Sequence, residues 1–172
     1  MQKINKDQVV EVRNFLLELQ NNIISMICSY DNSEFNKDNW SRDEGGGGIT
    51  CVLQNGNVFD KVGVNFSDIF GDHLPSAATN LRPELQGRNF QAMGVSVVCH
   101  PKNPNVPTAH LNVRLFIAYS ENLPPIWWFG GGFDMTPYYG YEEDAVHWHQ
   151  TAKDLCAPYG EKIYNQYKKN CD

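Results

Sequence analysis

The segment from Gly94 to Ile117 constrains the fold most, because it contains two strand-like runs joined by a loop with three prolines. Successive side chains of a β-strand point to opposite faces. This rule divides the segment into a polar set (Ser96, His100, His110, Asn112, Arg114) and an apolar set (Val95, Val97, Cys99, Leu111, Val113, Leu115, Ile117). The pattern therefore predicts a β-hairpin with one core face and one polar face.

The polar set suits the recognition of a carboxylate. Solvated strand faces usually carry Thr, Lys, Glu and Ser, whereas serine, histidine, asparagine and arginine are donors that hold a carboxylate, and arginine can bind it bidentately. An antiparallel sheet can also expose a polar face to water without any function. From the residues alone, both interpretations stay open.

Length and charge restrict the class of protein. A chain of 172 residues has the length of one domain, and we expect residues 1–172 to form a single domain that buries roughly 70% of its unfolded surface. A net charge of −6 is unlike that of a nucleic-acid-binding protein, which carries a basic stripe. An acidic protein that binds an acidic ligand must use local arginine and histidine side chains.

The location of the protein is predicted from its apolar runs and cysteines. No run approaches the ~18 apolar residues of a membrane span, and the chain starts with the polar sequence MQKINKDQ, so we expect a cytoplasmic protein without an integral membrane segment. Five cysteines without CxxC spacing fit reduced thiols with packing roles.

The first half of the chain contains a helix and a hairpin. Apolar residues recur at steps of three and four from about Asp7 to Ser29, which predicts an amphipathic helix. The four glycines from Gly45 to Gly48 match no phosphate-loop pattern and indicate a turn, or a place where the backbone meets a ligand or another chain. Asn55-Gly56 predicts a type I′ hairpin turn. Residues 71–90 read as a long surface connection, in which His73 is exposed.

Aromatic residues, glycines and one carboxylate are close together after Pro125. Trp127, Trp128 and Phe129 cannot all be exposed, and Gly130 to Gly132 would let a flat ligand or another strand approach the main chain. An aromatic core beside a glycine bend explains the same residues. Asp134 lies in this apolar stretch and needs a hydrogen-bond or cationic partner, which makes it a candidate site residue.

Three histidines are candidate metal ligands. Glu142 to Asp144 favour the start of a helix, on which His149 lies at the edge of the apolar face and His147 points away from it. Neutral imidazole is a common ligand of transition metals, so His100, His110 and His149 are candidates whose proximity depends on the tertiary fold. Pro158 ends this helix, and another helix begins in EKIYNQYKKNCD.

Strands with hairpin punctuation, between an N-terminal and a C-terminal helical segment, predict an α+β protein with a mainly antiparallel β-sheet flanked by α-helices.

Three long segments carry a specific resemblance. They are EGGGGITCVLQNGNVFDKVGVNFS, RPELQGRNFQAMGVSVVCHPKNPNVPTAHLNVRLF and WWFGGGFDMTPYYGYEEDAVHWHQTAKDLC. In this order and spacing they resemble blocks of the oxygen-dependent coproporphyrinogen III oxidases, from about Trp40 to Asp172. The resemblance implies the oxidative decarboxylation of two propionates of coproporphyrinogen III to vinyl groups, which gives protoporphyrinogen IX in haem biosynthesis, with O2 reduced to hydrogen peroxide.

The resemblance also implies roles for individual residues. Ser96, Asn112, Val113 and Arg114 match substrate-contacting positions, and we add Asp134 to the substrate-binding set from its setting. His110 matches the proton donor and also a metal position, while His100 and His149 match further metal-associated positions. A divalent metal is therefore an expected cofactor whose identity and need stay open; O2 is a co-substrate, and no organic cofactor is expected.

The resemblance further implies a homodimer and a longer chain. The family continues beyond a block similar to KKNCD, with a KHR block, a GIGG-type block and an acidic FDD-like motif, and Asn170 stands where the family has tryptophan. We therefore expect this chain to correspond to the N-terminal portion of the enzyme, C-terminally incomplete and poorly active alone. The alternative is an inactive tetrapyrrole- or carboxylate-binding fragment.

Overall fold

In the computed structural model, which describes residues 4–74, 79–80 and 82–171, six β-strands form one antiparallel sheet. The strands are β1 (Asn36–Ser41), β2 (Gly46–Gln54), β3 (Phe59–Gly71), β4 (Asn89–Pro101), β5 (Thr108–Tyr119) and β6 (Ile126–Thr136). The helices are α1 (Lys6–Asp31), α2 (Glu142–Cys156) and α3 (Ile163–Cys171), with 3-10 turns at Pro83–Leu85 and Ala157–Tyr159. Each strand pairs with its sequence neighbours, so the sheet is a meander in the order β1-β2-β3-β4-β5-β6. The predicted α+β class is confirmed.

Helix α1 covers one face of the sheet. Its start is fixed by a capping box, in which Asn5 and Gln8 each accept a hydrogen bond from the other's backbone N–H. Its apolar stripe packs on alternate residues of the central strands; the fully buried members of this core include Leu16, Ile27, Leu53, Val64, Val95 and Leu115. Gln20 is buried in the same interface, and its Nε2 donates to the carbonyl oxygens of Ile49 and Val64, both at 2.9 Å. The predicted N-terminal helix is confirmed and is slightly longer than expected.

The glycine run proved to be part of a strand. Gly45 and Gly46 have positive φ angles, but Gly46 already begins β2, and the polar segment before it forms β1. Trp40 of β1 lies across Gly48, where an added Cβ would be 2.4 Å from the indole ring. The polar composition of β1 hid this strand from sequence analysis, because an exposed edge strand lacks apolar alternation.

The predicted type I′ turn at Asn55-Gly56 is wrong. Asn55 has φ 55°, but Gly56 is not among the residues with positive φ, and four residues separate β2 from β3. The buried carboxylate of Asp31 holds this loop by accepting hydrogen bonds from the backbone N–H groups of Asn57, Val58 and Phe59 at 2.7–3.0 Å. A Cβ on Gly56 would lie 2.4 Å from that carboxylate. Glycine is therefore needed here for close approach rather than for a positive φ angle.

The connection between β3 and β4 is shorter and less exposed than expected. Strand β4 begins at Asn89, and Leu85 and Arg88 just before it are buried. His73 is exposed, as predicted. Residues 75–78 and 81, which belong to the same predicted connection, lie outside the described residues.

The C-terminal helices lie beyond the last strand. Trp148 of α2 contacts Phe133 of β6 edge-on, with ring centroids 5.1 Å apart. Leu155, predicted on the buried face of α2, is 64% exposed, so that face is only partly covered. Both predicted helices are present, and α2 ends at Cys156, just before Pro158. Among the helices that the structure describes, none is both long and apolar enough to cross a membrane.

Candidate active site

The candidate site is the face of the sheet opposite α1. In the register of β4, β5 and β6, Asn112 lies between Ser96 and Gly132, His110 between Val98 and Asp134, and Arg114 between Gly94 and Gly130. Directly opposed residues of an antiparallel sheet share a face. Ser96, His110, Asn112, Arg114 and Asp134 therefore lie together on one surface, which we call the polar face.

His110 and Asp134 form a hydrogen-bonded pair. The Nδ1 atom of His110 lies 2.8 Å from Oδ2 of Asp134, and both side chains are partly exposed. An ionised carboxylate can only accept, so Nδ1 carries the proton and Nε2 is free to act on a ligand. His110 is the hydrogen-bond partner that Asp134 was predicted to need. The register of β5 and β6 was not predictable, so the identity of the partner was missed.

Arg114 and Asn112 form a second pair. Nη1 of Arg114 donates to Oδ1 of Asn112 at 3.1 Å, and Nδ2 of Asn112 lies 3.4 Å from the carbonyl oxygen of Val95. The Arg114 side chain extends over Gly130, where a Cβ would be 3.2 Å from Nε. A guanidinium has five N–H donors, and this hydrogen bond to Asn112 occupies one. Arg114 is thus held in place while it still presents donors to an anion.

Val113 differs from the other predicted substrate-binding residues. It packs against the core beneath α1, on the face opposite Asn112 and Arg114. Only its main chain lies between those two residues, and that main chain pairs with β4 on one side and with β6 on the other. The structure does not bring the Val113 side chain to the polar face.

The polar face continues onto β2 and β3, a feature that the sequence did not predict. Asn65 lies directly opposite both Thr50 and Ser96, which extends the row that ends at Asn112. The side-chain oxygen of Asn65 is enclosed and has no hydrogen-bond partner among the described residues. Alternation in the GVNFS run places Gly63, Asn65 and Ser67 on one face, but only the strand register shows that this face is the one that carries Ser96.

The aromatic run is divided between the two faces. Trp128 lies opposite Phe116 on the polar-face side and stacks on it, with centroids 4.5 Å apart, and Phe116 in turn stacks on Phe90 at 5.8 Å. Trp127 and Phe129 lie on the α1 side. The prediction that these three residues are not all exposed is confirmed. Trp127 and Trp128 are half-buried, whereas Phe129 is 60% exposed. Of the three residues in this aromatic run, Trp128 is the one that lies on the side of the polar face.

A comparison with protein families matches residues 11–172 to the family described as coproporphyrinogen III oxidase. The chain belongs to the coproporphyrinogen III oxidase family. The match starts within α1 and includes all six strands, so it extends further towards the N-terminus than the resemblance that begins near Trp40. Membership indicates an oxidoreductase of porphyrin and haem biosynthesis whose substrate is coproporphyrinogen III.

The three histidines predicted as metal ligands of this family member do not form a cluster. His100 lies 3.3 Å from Oγ1 of Thr108, His110 pairs with Asp134, and His149 contacts the hydroxyl of Tyr164 at 3.0 Å. Within the described part of the chain, no group of three His, Cys, Asp or Glu side chains is placed to hold a metal ion. These residues do not fit a metal site, and we derive no chemical step through a metal.

His149 does not face an interior site. It is exposed and lies at the junction of α2 with α3, where its Nδ1 contacts the hydroxyl of Tyr164. The helical wheel placed it correctly at the edge of the apolar stripe, but that stripe is only partly covered. The structure thus leaves His149 exposed, and its metal-ligand role stays a prediction.

The predicted packing role fits Cys51, which is buried, but not Cys171, which is exposed. All five are free, and burial raises the pKa of the Cys99 thiol and, against the opposing charge of Lys37, that of Cys51. A raised pKa keeps a thiol protonated, and the thiolate is the nucleophile. Neither residue is therefore suited to covalent chemistry.

A groove of about 500 Å³ lies on the other side of the sheet, where α1 meets β5 and β6. Apolar side chains that include Phe15, Leu19 and Phe129 dominate its lining, which also includes Glu11 and Arg114, so that its arginine is offset by a carboxylate. Such a lining does not stabilise several carboxylates. The groove is thus a poorer match for coproporphyrinogen III than the polar face.

Proposed function

We propose that this protein catalyses the oxygen-dependent conversion of coproporphyrinogen III to protoporphyrinogen IX on the polar face. The observation that carries the proposal is the placement of Arg114, Asn112, Ser96 and the His110–Asp134 pair on one surface, in a chain that belongs to this family. The substrate is a macrocycle of four pyrrole rings with four carboxylates. Its chemistry matches a sheet face that combines cationic and amide donors with stacked aromatic rings.

Arg114 is the residue proposed to bind a propionate. Arginine–carboxylate pairs are often bidentate, and the hydrogen bond from Arg114 to Asn112 limits the conformations of its long side chain. Ser96, opposite Asn112, adds a hydroxyl that donates to a second carboxylate oxygen. Gly132 leaves the sheet surface open beside Asn112, which lets the macrocycle approach, whereas Gly130 gives the Arg114 side chain its room.

The reaction requires a proton at each decarboxylation. A propionate that becomes a vinyl group loses CO2 and a hydride equivalent; transfer of two electrons and that hydrogen to O2, with one further proton, gives hydrogen peroxide. His110 in its protonated form, with N–H groups at both ring nitrogens, is proposed to deliver this proton from Nε2, while Asp134 accepts the hydrogen bond from Nδ1. Asp134 thus acts as a positioning residue for His110, and its partly exposed carboxylate also lies within the proposed substrate surface.

The experiment that tests the proposal mixes the chain with coproporphyrinogen III in air and, separately, without O2, and measures protoporphyrin fluorescence and hydrogen peroxide. We expect product only in air, at a low rate for this length of chain, and its loss in His110→Asn with porphyrin binding retained. We expect Arg114→Gln to weaken binding of coproporphyrin III, the stable oxidised form, at least tenfold, since a charged hydrogen bond contributes about 1.5–3 kcal/mol.

Each of the other outcomes is decisive. Product without O2 would contradict the proposed oxidant. Binding without product in air would favour a tetrapyrrole-binding protein without turnover. Failure of the unsubstituted chain to bind coproporphyrin III would contradict the polar face as the substrate site.

A further inference from the structure

The segment just before β4 lies over one end of the polar face. Leu85 is 2% exposed and packs with Ala118 and Ile126. Arg88 is 6% exposed; its Nε donates to the carbonyl oxygen of Glu84 at 2.9 Å, and its Nη1 donates to that of Pro124 at 3.0 Å. These contacts fix residues 82–88 against the ends of β5 and β6.

This segment carries a second arginine to the polar face. The guanidinium carbon of Arg82 lies 4.3 Å from the centroid of the Trp128 ring, and Trp128 stacks on Phe116. Phe116 follows Arg114 by two residues on β5, so the two side chains share a face and start about 7 Å apart. Arg82 and Arg114 are therefore two cations of one surface, with the Phe116–Trp128 pair between them.

The ion pair of Arg82 is open to exchange. Its Nε lies 2.9 Å from Oε1 of Glu84, but the side chains are 43% and 49% exposed. Exposed ion pairs contribute little to stability, and Nε is one of five guanidinium donors. A carboxylate from a ligand can thus bind the remaining donors or replace Glu84, while Trp128 keeps the guanidinium in place by stacking.

We propose that Arg82 is a second carboxylate-binding residue, which together with Arg114 holds two acidic arms of one tetrapyrrole above the Phe116–Trp128 pair. This inference rests on the proposed function, since it assigns a further contact to the same substrate. Two separated cations favour a macrocycle with four carboxylates, which presents acidic arms around its whole edge, over one with two neighbouring carboxylates.

The test compares two porphyrins and four proteins. Coproporphyrin III has four carboxylates and mesoporphyrin IX has two; each is titrated by fluorescence against the unsubstituted chain and the variants Arg82→Gln, Glu84→Gln and Arg42→Gln, with Arg114→Gln from the test above as a further comparison. Arg42 is the matched control, because its Nη2 pairs with Glu44 at 3.4 Å in the turn before β2. Arg42→Gln removes the same charge from a similar exposed ion pair.

We expect Arg82→Gln to weaken coproporphyrin III binding about tenfold and mesoporphyrin IX binding less, because only the former has arms for both cations. We expect Glu84→Gln to strengthen coproporphyrin III binding, since a competing carboxylate is removed, and Arg42→Gln to leave both affinities unchanged.

The opposite signs of these effects separate binding from structure. If Arg82→Gln and Glu84→Gln both weaken binding, the ion pair only supports the segment and the inference is wrong. If Arg82→Gln binds both porphyrins like the unsubstituted chain while Arg114→Gln does not, the inference fails and the proposed function stands. If the unsubstituted chain binds neither porphyrin, both fail.

Discussion

At the scale of single residues, the site depends on pairs that sequence spacing does not bring together. His110 and Asp134 are 24 positions apart and meet at 2.8 Å because β5 and β6 pair in one register. A shift of one residue would turn Asp134 to the opposite face, where α1 packs. Strand register is therefore the property that brings two partly exposed polar residues into a hydrogen-bonded pair.

Replacing Asp134 by Asn tests the positioning of His110. The carboxylate holds the Nδ1–H tautomer, whereas an amide can donate as well as accept and so loses this preference. We expect the 15N spectrum of the neutral His110 ring to change from mainly Nδ1–H in the unsubstituted chain towards a mixture in Asp134→Asn. His73, an exposed loop residue, is the internal control. Unchanged His110 signals would show that Asp134 does not orient the ring.

Asp31 is a residue whose charge stabilises the fold rather than the site. Burial opposes its ionisation, but hydrogen bonds from Ser33 and from the backbone of Phe59, Asn57 and Val58 outweigh burial and lower its pKa from 3.8 to about 2. Because the pKa is lower in the folded state, the unfolded chain binds more protons between these values. The stabilisation of the folded state by the Asp31 charge is therefore complete above about pH 4 and is lost as pH falls through about 2.

The variant Asp31→Asn checks this pH dependence. We expect it to lower the free energy of unfolding by about 2 kcal/mol at pH 6, with a difference from the unsubstituted chain that shrinks as pH falls below 4. Urea unfolding at several pH values between 3 and 6 measures the difference. A difference that does not vary with pH would contradict the assigned role of the charge.

At the scale of secondary-structure elements, glycines shape the sheet surface. Gly48 gives Trp40 room to lie across β2, and Nε1 of Trp40 donates to Oγ1 of Thr50 at 3.1 Å. This arrangement attaches the edge strand β1 to the sheet although β1 has few apolar residues. The glycine run is thus explained by packing within the sheet, whereas at Gly130 the same residue type makes room for Arg114.

Two glycine substitutions separate crowded positions from open ones. In Gly48→Ala the new Cβ would lie 2.4 Å from the backbone oxygen of Phe66, so we expect a loss of about 1–3 kcal/mol in stability. In Gly63→Ala the nearest atom is Nδ2 of Asn65 at 3.4 Å, and we expect little change. If urea unfolding showed equal losses of stability for the two variants, the close approach of Trp40 and of the Phe66 oxygen to Gly48 would be contradicted.

At the scale of the whole molecule, the sheet separates a core face, on which α1 packs, from the polar face. Alternation in the hairpin predicted both sets of side chains correctly, because a period of two is a local property of the chain. The pairing of His110 with Asp134, the row from Asn65 to Asn112, and the approach of Arg82 to Trp128 depend on register and on a connection that folds back. No local pattern encodes these features.

The wrong turn prediction and the exposure of His149 have the same origin. The type I′ turn was inferred from two residues, but the carboxylate of Asp31, some 25 positions earlier, decides the conformation of that loop. His149 was placed correctly at the edge of its helix, yet the environment of that helix is set by α3. Sequence periodicity gives the direction of a side chain relative to its own element; what lies in that direction is a tertiary property.

The most direct test of the polar face uses valine methyl groups on opposite sides of the sheet. Val98 lies opposite His110 on the polar face, while its neighbour Val97 is 4% exposed beneath α1, and Val113 lies on the α1 side. A bound porphyrin shifts nearby methyl resonances strongly through its ring current. On addition of coproporphyrin III to methyl-labelled protein, we predict large shifts for Val98 and small shifts for Val97 and Val113. Large shifts confined to Val113 and to Val12 of the groove beside α1 would contradict the assignment of the polar face.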